Sequence, residues 1–197
     1  MDDSTGESAV PIRPASTVVL LRDGADGLEV WLQQRSSALV FAGGMYAFPG
    51  GAVDDADADS DLQFDAAAHA AVWGHSSAWS RTLVAAACRE TSEEAGVDLP
   101  ASSLTPWARW ITPIGSPRRF DAHFFVAPLP SGQSPRPLTG EVATGFWLVV
   151  TAAVERHLVG DLPMWPPTIT TLGQLAPHAD LAAVVAAAPR RITPVTQ

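Results

Sequence analysis

Arg89-Glu90-Thr91-Ser92-Glu93-Glu94-Ala95-Gly96-Val97 is the stretch on which the reading of this chain turns. Residues 81–96 have helical spacing. Val84, Cys88, Thr91 and Ala95 fall on one stripe that suits a core, and Gly96 suits a helix stop. Glu90, Glu93 and Glu94 stand at i, i+3 and i+4, within an arc of roughly 100° on the other side. Three carboxylates this close repel one another, and in the last turns of a helix the macrodipole disfavours them as well. Arg89 can pair with Glu93 one turn on, but one guanidinium does not neutralise three acids. The cluster calls for a cation, and hard oxygen donors select Mg²⁺ or Mn²⁺. A solvated acidic face is the other reading of the same pattern.

Upstream, Ala15–Leu21 and Leu28–Gln34 are rich in Val and Leu, and turn residues fill Arg22–Gly27 between them, so a hairpin is expected. Residues 1–14 read as a flexible arm. Met45–Phe48 is a short strand candidate stopped by Pro49-Gly50-Gly51. Asp54–Ser77 reads as an insertion that opens on an Asp-rich run and continues as an Ala-rich helix. Ser80 is the candidate cap of the next helix. Downstream, Trp107–Thr112, Phe120–Ala127 and Gly145–Val150 read as strands. Thr151 suits a helix cap, and two short helices near 168–175 and 179–188 follow a Pro-rich break. Strands mixed with helices give an α/β or α+β sandwich.

The chain has 197 residues, nearly half of them hydrophobic, which suits a folded domain with a real core. All 12 basic residues are Arg, so any side-chain cation that grips an oxyanion is a forked guanidinium. A formal charge of −9 without a basic run argues against nucleic acid as a partner. The single cysteine, Cys88, excludes an intrachain disulfide and a Cys-built zinc site. There is no signal-type N-terminal stretch and no apolar run of about 18 residues, so no membrane span is expected and the cytoplasm is the default location.

The pattern Arg89-Glu90-x-x-Glu93-Glu94-x-Gly96-Val97 resembles the second half of the Nudix box, G-x5-E-x7-R-E-U-x-E-E-x-G-U, where U is apolar. Phe48-Pro49-Gly50-Gly51 resembles the segment that opens it, and Ala86-Ala87-Cys88 fits the lead-in. The resemblance covers roughly residues 15–175. It implies a Nudix-type α/β/α sandwich with a mixed β-sheet, as one domain over 15–197 with a helical C-terminal tail. From Gly51 to Arg89 is 38 positions where the motif has 14, so about 24 residues are inserted, at about 54–78. Arg81 stands where the motif has its first glutamate, a residue that supports loop geometry. Thr91 replaces an apolar residue.

The resemblance also implies hydrolysis of a phosphoanhydride, with Mg²⁺ or Mn²⁺ held by Glu90, Glu93, Glu94 and the backbone carbonyl of Gly51. Glu141, in a loop before a late strand, matches a further acid that serves as metal ligand or general base. Arg118 and Arg119 could hold diphosphate oxygens, or form a surface turn with one of them paired to Asp121. Arg35 is a weaker candidate for the same task. The insertion, with Trp110-Ile111-Thr112-Pro113, Pro117-Arg118-Arg119-Phe120-Asp121 and Pro166-Pro167-Thr168, looks like a branch that includes coenzyme A and acyl-CoA diphosphatases. A nucleotide-sugar or dinucleotide pyrophosphatase, such as one for ADP-ribose, is the competing activity, and a non-catalytic nucleotide-sensing domain the competing class. A small nucleotide-type molecule is the expected partner, and dimerisation, common in such folds, could use the apolar tail.

Three other features point elsewhere. Asp55-x-Asp57-x-Asp59 mimics a calcium loop but has Ser60 and Ala66 where Gly and Glu belong, so it reads as a solvated loop. The five histidines lack metal-ligand spacing, with His123 inside a strand. Cys88 reads as buried rather than nucleophilic.

Overall fold

Alternation along the first strand sets the layers. In the computed structural model, which describes residues 10–38 and 43–196, β1 spans Ile12–Gly24. Its Val18 and Leu20 pack on one face of the sheet, and Val19 and Leu21 on the other. All four are fully buried, so this strand is covered on both sides. Burial of each such side chain contributes roughly 1.5–3 kcal/mol.

The other strands are β2 (Gly27–Arg35), β3 (Tyr46–Ala47), β4 (Gly50–Ala52), β5 (Thr105–Ile111), β6 (Arg119–Pro128), β7 (Val142–Val149) and β8 (Val195–Thr196). The sheet order is β3-β2-β1-β6-β5-β8, with β4 also on β1 and β7 also on β2. β1 with β6 and β5 with β8 are parallel, and the remaining pairs are antiparallel, so the sheet is mixed. The Val18–Leu20 face is covered by α1 (Ala66–Trp73) and α2 (Ser77–Ala95), through Trp73, Leu83, Val84 and Ala87. The Val19–Leu21 face is covered by α3 (Val150–Leu158), α4 (Pro166–Leu175) and α5 (Leu181–Ala186). The α/β/α layering expected from the sequence is present, and no helix among the described residues is long and apolar enough to cross a membrane.

Several boundaries differ, each for a local reason. β1 begins at Ile12, inside the arm read over residues 1–14, because Ile12–Pro14 pair with Arg119–Asp121; residues 1–9 lie outside the described residues. Gly50 and Gly51 do not stop a strand: they form β4 and pair with Thr17 and Ser16. Ser76, not Ser80, caps α2, its Oγ accepting from Trp79 N–H at 3.1 Å. Ser80 is fully buried one turn further in. α3 starts at Val150 with no side-chain cap, so Thr151 does not serve as one. β8 has no counterpart in the sequence reading, since a two-residue strand carries no periodicity.

The inserted segment builds core. It opens as a short 3-10 turn over Asp55–Asp59 and continues as α1. Trp73 of α1 is 3% exposed and meets Phe125 edge-on, with ring centroids 5.4 Å apart.

Candidate active site

Two ties bring α2 to the glycine turn. β4 lies along β1 with Gly51 opposite Ser16, and the buried Ser16 Oγ donates to the Leu83 carbonyl of α2 at 2.8 Å. One serine thus serves both elements that frame the site. α2 ends at Gly96 in the left-handed conformation, with φ 66°.

The three glutamates of α2 are not equivalent. Glu94, assigned to the polar face by spacing, is 7% exposed. Its Oε2 accepts from Gln33 Nε2 at 2.9 Å and from the Gly50 N–H at 3.1 Å. Gln33 is held in turn by Trp31 Nε1 at 3.3 Å. Burial pushes the Glu94 carboxyl up to about 7, against the lowering effect of those two hydrogen bonds, and the Glu90 charge adds to the rise. Glu90 is also raised, first by burial and then by Glu93 and Asp54, with Arg89 opposing. It lies against Gly51: a Cβ at that position would fall 2.6 Å from the Glu90 carboxyl carbon. Glu93 points outward, its side chain 56% exposed, and takes Arg89 Nη1 at 3.3 Å, the i+4 pair expected from the sequence.

Arg89 is the hub of this acidic end. Its Nε and Nη2 each lie 3.0 Å from an oxygen of Asp57, its Nη2 also donates to the Ala52 carbonyl at 3.0 Å, and its Nη1 donates to Glu90 at 2.8 Å. The sequence reading of the Asp-rich run as a solvated loop is corrected at Asp57, which is 4% exposed. Its carboxyl lies below the usual range: burial acts to raise it, and the hydrogen bonds from Arg89 and the Asp54 backbone overcome that.

Among the described residues, no three His, Cys, Asp or Glu side chains converge as a ready metal cage. The donor set still fits a hard divalent cation. Glu90 and Glu94 are half-buried or buried carboxylates, each raised by the other or by a neighbouring acid, beside a glycine with no side chain to block approach. A cation among them relieves both the burial cost and the repulsion.

The sequence model of the NUDIX domain matches residues 11–166, which include this whole arrangement. The chain belongs to the Nudix family. A Caenorhabditis elegans protein whose name places it among the nudix hydrolases is 25% identical over 167 residues, covering 77% of this chain and 57% of that protein. The chain thus spans little more than half the length of that curated relative. A NUDIX hydrolase from Alicyclobacillus acidocaldarius superposes with a TM-score of 0.79 at 25% identity, over 91% of this chain and 98% of the other. The NUDIX domain of Shewanella oneidensis NrtR, crystallised with ADP ribose, shares the fold at a TM-score of 0.58 and 15% identity, over 83% of this chain and 86% of the other.

Around the Nudix helix, the remaining sequence-predicted residues separate into near and far. Arg35 ends β2, and its charge acts on Glu94. Its Nη2 lies 3.7 Å from Glu141, whose side chain is 61% exposed. The Arg35 Nε is buried without a hydrogen-bond partner among the described residues. Arg35 and Glu141 therefore stand together, with Arg35 near enough for its charge to act on Glu94. Arg119 starts from a different part of the sheet. Arg119 lies opposite Ile12 on one edge of β1, while Gly51 lies opposite Ser16 on the other edge, four residues or about 13 Å along the strand. Asp121 pairs bidentately with Arg109, at 2.8 and 2.7 Å. Arg119 donates to the Thr112 carbonyl.

Sequence reasoning missed Gln33 and Asp57. Gln33 had a signal: it shares a strand face with Trp31, the face that α2 covers, so a polar residue there needs a buried partner. Asp57 had none, since its partner is 32 residues away. Cys88 is half-buried, its thiol is pushed up to about 11 by burial, and its Sγ faces the Leu99 carbonyl at 3.5 Å, in keeping with an inert role. His123 is fully buried with Nε2 3.0 Å from His75 Nε2, a pairing across 48 residues that spacing could not show.

Proposed function

We propose that this Nudix protein hydrolyses the diphosphate bond of a nucleoside diphosphate linked to a second moiety, with Mg²⁺ or Mn²⁺ held by Glu90, Glu93, Glu94 and the Gly51 carbonyl. The observation that carries this reading is the pair Glu90 and Glu94, set against Gly50-Gly51 and raised first by burial and then by neighbouring acids, Glu93 and Asp54 for Glu90 and Glu90 for Glu94. A bound cation supplies charge neutralisation and an activated water. Gln33 and the Gly50 N–H keep the Glu94 carboxylate aimed at the turn. Arg35, with its unpartnered buried Nε, offers an N–H to an oxyanion on the Glu94 side. Arg118 and Arg119 take a more distant part of an extended substrate.

Glu141 acts as the proton acceptor for the attacking water. Its exposure and its long-range pairing with Arg35 favour this over ligation. Glu141→Gln should lower kcat by roughly a hundredfold with the Mg²⁺ requirement unchanged. A raised Mg²⁺ half-saturation with kcat retained at saturating metal would make it a ligand instead.

The preferred substrate is coenzyme A or an acyl-CoA, cleaved to a 4′-phosphopantetheine species and adenosine 3′,5′-bisphosphate. The insertion and the segments at 110–113, 117–121 and 166–168 support this by resemblance. The reading includes a cytoplasmic location and a homodimer formed through the apolar tail. Incubation with CoA, acyl-CoAs, ADP-ribose, NADH and dinucleoside polyphosphates, with Mg²⁺, Mn²⁺ or EDTA, tests it. CoA compounds should turn over with metal and not with EDTA. Efficient ADP-ribose cleavage without CoA cleavage overturns the substrate, and silence across the panel overturns catalysis in favour of nucleotide sensing.

A further inference from the structure

The Asp-rich run of the insertion holds one residue unlike its neighbours. Asp54, Asp55 and Asp59 are exposed, whereas Asp57 is 4% exposed. A buried carboxylate needs partners that replace water. Asp57 has them: the Arg89 fork at two distances of 3.0 Å, and the Asp54 backbone N–H at 2.8 Å. With Nε and Nη2 so engaged, Arg89 turns only Nη1 toward Glu90 and Glu93.

We propose that Asp57, supplied by the insertion, is a positioning residue that occupies the bidentate edge of Arg89, so that only Nη1 reaches the cation-binding carboxylates of Glu90 and Glu93. The inference rests on the reading of those glutamates as metal ligands. A guanidinium prefers bidentate pairing with a carboxylate. Freed from Asp57, Arg89 can close its fork on Glu90 or Glu93 and compete with the metal there. The Arg89–Ala52 hydrogen bond, one residue beyond Gly51, shows that the same side chain also fastens β4. No acid stands at the position where the Nudix box has its first glutamate. Arg81 stands eight residues before Arg89 within α2, about 12 Å along the axis, and its Nη1 donates to the Leu62 carbonyl. The acid that engages Arg89 comes from the inserted segment instead.

The test is direct Mn²⁺ titration of the substrate-free protein, followed by the electron paramagnetic resonance of free Mn²⁺. Asp57→Asn should weaken Mn²⁺ binding roughly tenfold, and Asp55→Asn should leave it unchanged. In an Arg89→Gln background, adding Asp57→Asn should change the constant by less than about twofold, because the competitor is already gone. That second comparison stands even if Asp57→Asn alone does not fold. An Asp57→Asn constant equal to wild type, or a tenfold loss that persists in the Arg89→Gln background, overturns the proposal. Absence of Mn²⁺ binding by the wild type sinks the glutamate reading itself, and this inference with it.

Discussion

Glu94→Gln should lower the proposed Mg²⁺-dependent turnover roughly a thousandfold, about 4 kcal/mol of transition-state stabilisation, and at the same time make the metal-free protein more stable at pH 8. Both effects come from one buried carboxylate. Without metal, its folded-state value of about 7 exceeds the ordinary 4.5. Glu94 therefore favours folding below pH 4.5, and that contribution is lost as the pH rises through about 7. Above pH 7 the ionised group costs the fold roughly 3 kcal/mol, since each tenfold change in proton affinity is worth about 1.4 kcal/mol. A glutamine keeps an oxygen for Gln33 Nε2 and for the Gly50 N–H and carries no charge. Denaturant unfolding in EDTA should show the variant ahead of wild type at pH 8 and level with it near pH 4.5. A variant that is less stable at pH 8, or that keeps turnover, contradicts the account of this site.

Gly50→Ala and Gly51→Ala should fail in opposite ways. At Gly50, φ is +153° and a Cβ would sit 2.7 Å from the Thr17 Cα, close also to the Ser16 carbonyl. That backbone cannot move without opening the β1–β4 pairing, so the substitution costs roughly 3 kcal/mol. In thermal unfolding this is a fall of about 10 °C in Tm. At Gly51 the obstacle is the Glu90 carboxylate, the far end of a flexible side chain, which swings aside. Stability should stay within about 1 kcal/mol of wild type, and turnover should fall roughly a hundredfold as the carboxylate leaves the turn. Full activity in Gly51→Ala would remove the Glu90–Gly51 approach from the site.

Much of the architecture was legible because it depends on local pattern. The Val- and Leu-rich stretches Ala15–Leu21 and Leu28–Gln34 read as a hairpin and form the antiparallel β1 and β2, and Gly96 marks the end of α2 by its tolerance of positive φ. The caps were harder to place. Ser76 and Ser80 are equally good candidates by residue type, and the choice fell to burial, since Ser80 lies inside the packed face. Glu94 was placed with its two neighbours on a polar face by helical geometry alone. Its burial depends on β2 and β4, which lie far off in the sequence.

The sequence by itself determined the Nudix helix, its three glutamates and the glycine turn, since each is written in contiguous residues. Tertiary structure alone decided how these parts differ from one another. It buried Glu94 beneath Gln33 and Gly50, left Glu93 in water, and drew Asp57 across 32 residues onto Arg89. It also rooted Arg119 on the opposite edge of β1 from the glycine turn. The physical reason is common to all of these. A carboxylate's charge state depends on desolvation and on the partners that replace water, and those are set by packing between elements, which no local spacing encodes.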